Sequence, residues 1–137
     1  MKRKISISTL AFNGYKIDHI IKILKKNNIK NIDLAPLTIF KNWKTFFKQV
    51  YFLKKKLRKN RININAIQGI FFNLETKLFF SNNRELNKLF KHLNKIILVC
   101  KKLNIKKIII GSSYLRNKKD ITKQDADTKF VEFFSRF

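Results

Sequence analysis

Ser112, Arg116 and Asn117 place a forked guanidinium and two small polar side chains within six consecutive residues. A guanidinium donates paired hydrogen bonds in a geometry that matches phosphate or carboxylate, and the serine and asparagine add further donors. Arg116 is also one of only six arginines in a lysine-dominated chain. The segment therefore predicts a site for an anionic group, and an ion pair from Arg116 to Asp120 or Asp125 is the competing interpretation.

An acid and an amide lie in two short apolar stretches, IDLA and AIQGIFF. Asp33 could orient a hydroxyl or a basic neighbour, or it could stabilise its own loop. Burying the amide of Gln68 without partners would cost about 1 to 3 kcal/mol, so it must bond either to a substrate hydroxyl or to a backbone group. We therefore predict substrate-binding roles for Asp33, Gln68, Ser112, Arg116 and Asn117, and we assign no catalytic residue.

Histidine and cysteine give no metal-binding pattern in this chain. His19 and His92 lie in predicted helices, and neither has a cysteine or a carboxylate cluster at ligand spacing. The single cysteine, Cys100, lies in an apolar helical stretch, where a thiol is typically a small core residue. One cysteine excludes an internal disulfide and favours a reducing compartment, so we expect a cytoplasmic protein with no metal ligand among these residues.

Four units, each a strand followed by a helix, would position these candidates. Strands are predicted at Lys4–Phe12, Ile32–Ala35, Ile62–Phe72 and Ile108–Gly111, the last of them buried on both faces because its run is uninterrupted and β-branched. Helices are predicted from the stripe Ile17 to Leu24 and after the capping residues Asn42, Asn82 with Glu85, and Thr122 with Asp125. Trp43, Tyr51 and the fourteen Phe are assigned to the core. The junctions NNIKNIDL, KNRININAI and LNIKKIII resemble one another, which indicates a repeated unit.

Alternating strands and helices of these lengths predict right-handed crossovers in a parallel sheet, either open or closed as a barrel. Strand one lacks the GxGxxG turn of dinucleotide-binding open sheets, which favours the barrel. A full barrel needs about 250 residues and eight strands. We therefore predict α/β architecture, with residues 1–137 as a single partial domain that holds the first four units of a (β/α)8 barrel.

The formal charge of +24 raises the question of a polyanionic partner. Lys, Ile, Asn and Phe fill 75 of the 137 positions, and A- and T-rich codons encode all four. Compositional drift of such a genome would give this charge without selection for nucleic acid, so we favour drift. No segment reaches the ~18 uninterrupted apolar residues of a membrane span, and no signal core follows the first residues, so no membrane partner is expected.

Four stretches, in order along the chain, resemble the sugar phosphate isomerase/epimerase family with a xylose isomerase-like TIM barrel. SISTLAF resembles its first strand, NIDLAPLTIFKNW its second strand and loop, AIQGIFFNLETKLF its third strand and extended loop, and IIIGSSYLRN its fourth strand. Asp33 stands where similar sequences carry glutamate. The resemblance covers essentially the whole chain and corresponds to the N-terminal half of such a barrel.

What the resemblance implies is metal-assisted isomerisation or epimerisation of a sugar or sugar phosphate, by proton removal beside a carbonyl or by hydride shift. In such barrels the divalent metal is held by carboxylates and a histidine from later strands. We therefore expect these 137 residues to be inactive alone and to represent a truncated or split barrel.

Two other classes of function stay open. A half-barrel leaves unpaired strand edges, which predicts self-association or pairing with a second half-barrel. A basic nucleic-acid binder, or an apurinic endonuclease-like barrel, is disfavoured because similar nucleases carry metal-binding histidines on strands three and four. This chain has Gln68, Ser112 and Ser113 there.

Overall fold

A computed structural model describes residues 5–74, 78, 82–112 and 117–136. The chain divides into two compact units. Unit 1 runs to Ile70 and includes Ile96–Ile110, whereas unit 2 comprises Phe71–Lys95 and Gly111–Phe137. The long helix α3 (Asn83–Leu103) contributes its first part to unit 2 and its last part to unit 1. The single domain expected for residues 1–137 stays a prediction.

Unit 1 contains a three-stranded parallel sheet in the order β1 (Ile7–Ser8), β2 (Asn31–Leu34) and β3 (Asn63–Ile67). Ser8 lies opposite Asp33, and Leu34 lies opposite Ile67. A register shift after Ile32 leaves one extra residue on β3. The parallel α/β architecture predicted from the sequence is confirmed.

Two amphipathic helices follow the first two strands, α1 (Ile17–Lys26) and α2 (Trp43–Lys59). Alternate residues of β2, Ile32 and Leu34, are completely buried, as expected when one face of a strand packs into a core. The helices add a buried stripe of Ile20, Ile21 and Leu24 from α1 and Phe46, Val50, Leu53 and Leu57 from α2. An ion pair from Lys56 to Asp18 joins the two helices at the surface.

The predicted helix starts are confirmed by their caps. Asn42 accepts a hydrogen bond from the Thr45 amide at 2.9 Å. Asn82 and Glu85 form a reciprocal capping box at the start of α3, with side chain to backbone distances of 3.0 and 3.1 Å. The last helix, α4 (Lys123–Phe134), begins after Thr122, whose hydroxyl accepts from the Asp125 amide.

The repeated junctions have a common backbone geometry at their helix ends. Each of the first three helices is followed by a residue with positive φ, Asn28, Arg61 and Asn104. The amide of the next isoleucine then donates to a carbonyl in the last turn of the helix: Ile29 to Leu24, Ile62 to Leu57 and Ile105 to Cys100. This is the Schellman motif, in which the left-handed residue lets the chain turn and the following apolar residue packs back. The three similar sequence junctions therefore end their helices in the same way.

Unit 2 contains the first part of α3 and the helix α4. The rings of Phe90 and Phe133 stack with centroids 4.6 Å apart, and the Arg136 guanidinium lies 5.0 Å from the Phe90 centroid. The α4 helix also buries Ala126. None of the helices in the described part of the chain combines the length and the apolar character needed to cross a bilayer.

The strand predicted over Lys4–Phe12 is wrong in its extent. Only Ile7–Ser8 pair with β2, and Thr9–Phe12 form a 3₁₀-helix. The Ser8 hydroxyl accepts from the Leu10 amide and thereby caps that helix, which ends the strand. The third strand is also shorter than Ile62–Phe72, because the chain leaves the sheet before Gly69, whose φ is +60°.

The fourth strand is the second correction. Among the described residues, the segment predicted as strand four forms a single parallel bridge, between Ile108 and Ile67. The Ile67 amide donates a hydrogen bond to the Lys107 carbonyl at 3.0 Å, and the Ile109 amide donates to the Ile67 carbonyl at 2.8 Å. Ile109 is 43% exposed, so the expectation of burial on both faces is wrong. An apolar run becomes a buried strand only when elements cover both of its faces, and no described strand pairs beyond it.

The assignment of Trp43, Tyr51 and the fourteen Phe to the core is also wrong for three of those that the structure describes; Phe79, Phe80 and Phe137 lie outside the described residues. Tyr51, Phe52 and Phe72 are 49%, 74% and 60% exposed. Phe46 is completely buried, as predicted. Tyr51 and Phe52 follow the buried Val50 on α2 but lie on its outer side, because each helical residue turns by about 100° from the last.

Candidate functional site

Five polar side chains from the three strands of unit 1, and from the residue after β3, are joined by hydrogen bonds. Ser8 lies in β1 and Ser6 directly before it, Asp33 lies in β2, Asn65 lies in β3, and Gln68 directly follows β3. We call them the strand-end cluster. Asp33 lies between Ile32 and Leu34, both completely buried, so its side chain points to the opposite face of the sheet.

The Asp33 carboxylate is the centre of the strand-end cluster. Its Oδ1 accepts from the Ser6 hydroxyl at 2.8 Å and from the Asn65 amide nitrogen at 2.7 Å. Two donors from the two neighbouring strands hold the carboxylate in one orientation. Asp33 is half-buried, and no lysine, arginine or histidine of the described residues pairs with it.

Gln68 joins the third strand end to the first. Its Nε2 donates to the Ser8 hydroxyl at 2.6 Å and, at 3.4 Å, to the Asp33 backbone carbonyl. The Gln68 backbone amide donates to the Leu34 carbonyl at 2.8 Å. Of the two partners expected from the sequence, the backbone group is present, whereas the substrate hydroxyl stays a prediction. The side-chain oxygen of Gln68 has no partner among the described residues.

The structure brings Asp33 and Gln68 into one cluster, and the other candidates belong to unit 2 or lie outside the description. Ser112 is half-buried in unit 2. Asn117 is exposed there, and its Oδ1 accepts from the Lys119 amide at 3.1 Å, which is a local turn contact. Arg116 lies outside the described residues. The substrate-binding roles of all five stay predictions.

Sequence analysis missed three members of the strand-end cluster, Ser6, Ser8 and Asn65. Asn65 gave no signal in the sequence, because it is the extra residue that the register shift leaves on β3, whereas Ser6 and Ser8 alternate with Ile5 and Ile7. Period-two alternation puts such residues on the same face as Asp33. It does not show which polar side chains will bond, because that depends on strand register.

A second polar group beside the cluster ties β1 to β2. Thr9 is completely buried, and its Oγ1 accepts from the Ala35 amide at 2.7 Å. The hydroxyls of Thr9 and Thr38 lie 3.0 Å apart, and Thr38 donates to the Ala35 carbonyl at 2.7 Å. These bonds satisfy the backbone where the sheet passes into the loop after β2, so we assign them a structural role.

A metal site would need several histidine, cysteine or carboxylate side chains close together. Within residues 5–74, 78, 82–112 and 117–136, no group of three His, Cys, Asp or Glu side chains comes together. His19 is exposed on α1 with its ring 4.9 Å from Tyr15, and His92 is half-buried on α3 near Phe71. The described residues therefore do not supply a ligand set for a divalent metal by themselves, and we derive no step through one.

Cys100 is buried in α3, as its apolar surroundings predicted. Burial raises the pKa of its thiol from 9.0 to about 11, because the charged thiolate would lose its hydration. A thiol with a raised pKa is a poor nucleophile at neutral pH. Cys100 is therefore a core residue and not a reactive group.

Comparison with known proteins defines the fold. No protein-family model matches the chain, and no curated protein matches it. It is similar to a solved structure, that of the probable 3-DHS dehydratase AsbF involved in petrobactin synthesis from Bacillus anthracis. The TM-score is 0.66 at 15% sequence identity, and the match covers 98% of this chain and 46% of the dehydratase.

This likeness shows the fold alone. The chain has the architecture of part of a TIM barrel and spans about half the length of the solved protein that it matches. The barrel class expected from the sequence is therefore confirmed. In such barrels, ligands bind at the carboxyl ends of the strands, and three of the five residues of the strand-end cluster, Ser8, Asp33 and Gln68, lie in the last two residues of a strand or just after it.

Proposed function

We propose that this chain forms the substrate-holding part of a xylose isomerase-like barrel and that its strand-end cluster binds the hydroxyl groups of a sugar or sugar phosphate. One observation carries the proposal. Polar side chains from three adjacent strands are linked into a network on the sheet face opposite the apolar core, and the network keeps unused hydrogen-bonding atoms. No buried side-chain polar atom of the described residues lacks a partner, so the unused atoms of the cluster face solvent, where a ligand can reach them.

The roles that follow for these residues are binding and orientation. Asp33, fixed by Ser6 and Asn65, accepts a hydrogen bond from a sugar hydroxyl. Gln68, fixed by Ser8, presents its side-chain oxygen to a second hydroxyl. Neighbouring strands lie about 4.8 Å apart, so the span from β1 to β3 is about 10 Å, enough for one monosaccharide.

The reaction that we propose for a complete barrel is isomerisation or epimerisation assisted by a divalent metal. Fold alone does not determine chemistry, so this rests on the resemblance of the four motifs and on the polyol-binding character of the cluster. The described residues would hold the substrate, while the metal ligands and the base would come from elsewhere in a barrel. Self-association, pairing with a second half-barrel and nucleic-acid binding each stay predictions.

The test is direct binding of sugars to the ¹⁵N-labelled chain. A panel of aldoses, ketoses and sugar phosphates is titrated while the side-chain amide signals of Asn65 and Gln68 are followed by NMR. We expect saturable shifts of both signals. The Gln68→Leu substitution should weaken binding about tenfold, since it removes an amide that meets a hydroxyl and fixes Ser8 (about 1.4 kcal/mol).

Gln49→Leu is the matched control. It makes the same change of side chain as Gln68→Leu, but at an exposed position on α2 outside the strand-end cluster. It should bind as the unaltered chain does. If no sugar shifts the two amide signals at tens of millimolar, or if both leucine variants weaken binding equally, the proposal is wrong.

A further inference from the structure

The unused atoms of the strand-end cluster follow from a count of donors and acceptors. Ser8 Oγ accepts from two donors, the Leu10 amide at 3.0 Å and Gln68 Nε2 at 2.6 Å. Both lone pairs of that hydroxyl are then occupied, so its proton points to another partner. The orientation of the Gln68 amide is fixed by chemistry, since only its nitrogen can donate to the Asp33 carbonyl, and its oxygen is therefore left as an acceptor.

The same count on β2 and β3 leaves further acceptors. Asp33 Oδ1 accepts from both Ser6 and Asn65, while Oδ2 accepts from none of the described residues. A carboxylate cannot donate when ionised, so the Asn65 amide must present its nitrogen to Asp33 and keep its oxygen unused. Within the described residues the cluster thus leaves three carboxylate or amide oxygens as acceptors, on Asp33, Asn65 and Gln68, together with the lone pairs of the Ser6 hydroxyl. Against these stand one hydroxyl proton and one amide proton.

Charge acts in the same direction as this excess of acceptors. Asp33 is half-buried and has no ion-pair partner within 4.0 Å among the residues that the structure describes. The strand-end cluster is therefore a local negative site on a chain whose formal charge is +24. A phosphate placed there would meet a carboxylate and two amide oxygens with few donors to balance them, whereas lysines elsewhere on the surface would attract it.

We propose that the strand-end cluster selects the hydroxyl-bearing or ammonium-bearing part of its ligand and excludes the phosphate of a sugar phosphate, which must lie elsewhere. This inference rests on the proposed function and adds the chemical polarity of the site to it. Asp33 is the specificity-determining residue, because its second oxygen is the charged acceptor among those that have no partner within the described residues.

The experiment compares glucose, glucosamine and glucose 6-phosphate at about 150 mM salt, where charges beyond about 8 Å are screened. The readout is the concentration of each ligand that half-saturates the Asn65 and Gln68 side-chain signals. We expect glucosamine to bind about fivefold more tightly than glucose, as a partly exposed ion pair would give, and glucose 6-phosphate to bind most weakly. In Asp33→Asn the advantage of glucosamine should disappear.

Asp18→Asn is the matched control, since it removes an exposed carboxylate of unit 1 outside the strand-end cluster. It should keep the order of the unaltered chain. The inference is overturned if glucose 6-phosphate shifts these signals at a lower concentration than glucose does, or if all three ligands bind with equal affinity. The proposed function survives either result. If none of the three ligands shifts them, the inference falls, and the sugar panel decides the proposed function separately. Should Asp33→Asn not fold by circular dichroism, the order of affinities in the unaltered chain still decides.

Discussion

Replacing Thr9 by valine removes one oxygen from the interior of unit 1 and leaves the volume of the side chain nearly unchanged. Thr9 is completely buried, and its hydroxyl is the partner of the Ala35 amide at 2.7 Å. Ala35 is itself only 3% exposed, so water cannot replace the lost acceptor. A buried amide without a partner costs about 1 to 3 kcal/mol.

The expected loss follows from this cost and from a small gain. The new methyl group of valine contributes at most about 0.8 kcal/mol of apolar burial, so the net loss should be about 2 kcal/mol in the free energy of unfolding. Thr9→Ser makes the opposite change, because it keeps the hydroxyl and removes a buried methyl, and it should cost about 1 kcal/mol. Valine should therefore be the more damaging of the two substitutions.

Urea denaturation followed by tryptophan fluorescence measures these changes. The single tryptophan, Trp43, begins α2 in the same unit as Thr9 and so reports on the unfolding of that unit. With an m-value of about 2 kcal/mol/M, the valine variant should unfold at about 1 M less urea. Thr38→Val serves as a partner in a double-mutant cycle, which should show coupling because the two hydroxyls are 3.0 Å apart. A valine variant as stable as the unaltered chain, or a serine variant less stable than valine, would refute the assigned role of the hydroxyl.

Two further predictions concern the helices. Arg61 follows α2 and has a φ of +58°, a conformation that glycine adopts more easily than other residues. Arg61→Gly should therefore raise the free energy of unfolding by up to about 1 kcal/mol in urea denaturation, whereas Arg61→Ala should not. Equal effects of the two substitutions would contradict the Schellman interpretation. Burial raises the pKa of the Cys100 thiol from 9.0 to about 11. Between these two pH values the unfolded chain loses a proton that the folded chain keeps, so the free energy of unfolding should fall as the pH rises from 9 to 11. Cys100→Ala should lack this part of the pH dependence in parallel urea titrations from pH 8 to 11, and an unchanged slope would show that the thiol does not contribute.

Local chemistry made the helices of this chain predictable. The caps Asn42, Asn82 and Thr122 act within three residues of themselves, and amphipathic spacing needs only neighbouring turns. The repeated Asn-Ile or Arg-Ile junctions likewise encode helix ends through backbone geometry over six residues. Asp33 and Gln68 could be selected as candidates from the sequence, because each is a polar residue next to or within an apolar run.

Local sequence thus predicts the alternation of parallel strands and helices, the helix starts and the repeated helix ends, since those depend on contacts of a few residues. Long-range contacts, in contrast, determine that Ile109 is exposed and that Ser6, Ser8 and Asn65 join Asp33 and Gln68. Partners such as Gln68 and Ser8 are 60 residues apart. Their meeting depends on strand register and on what covers each face, which no local pattern specifies.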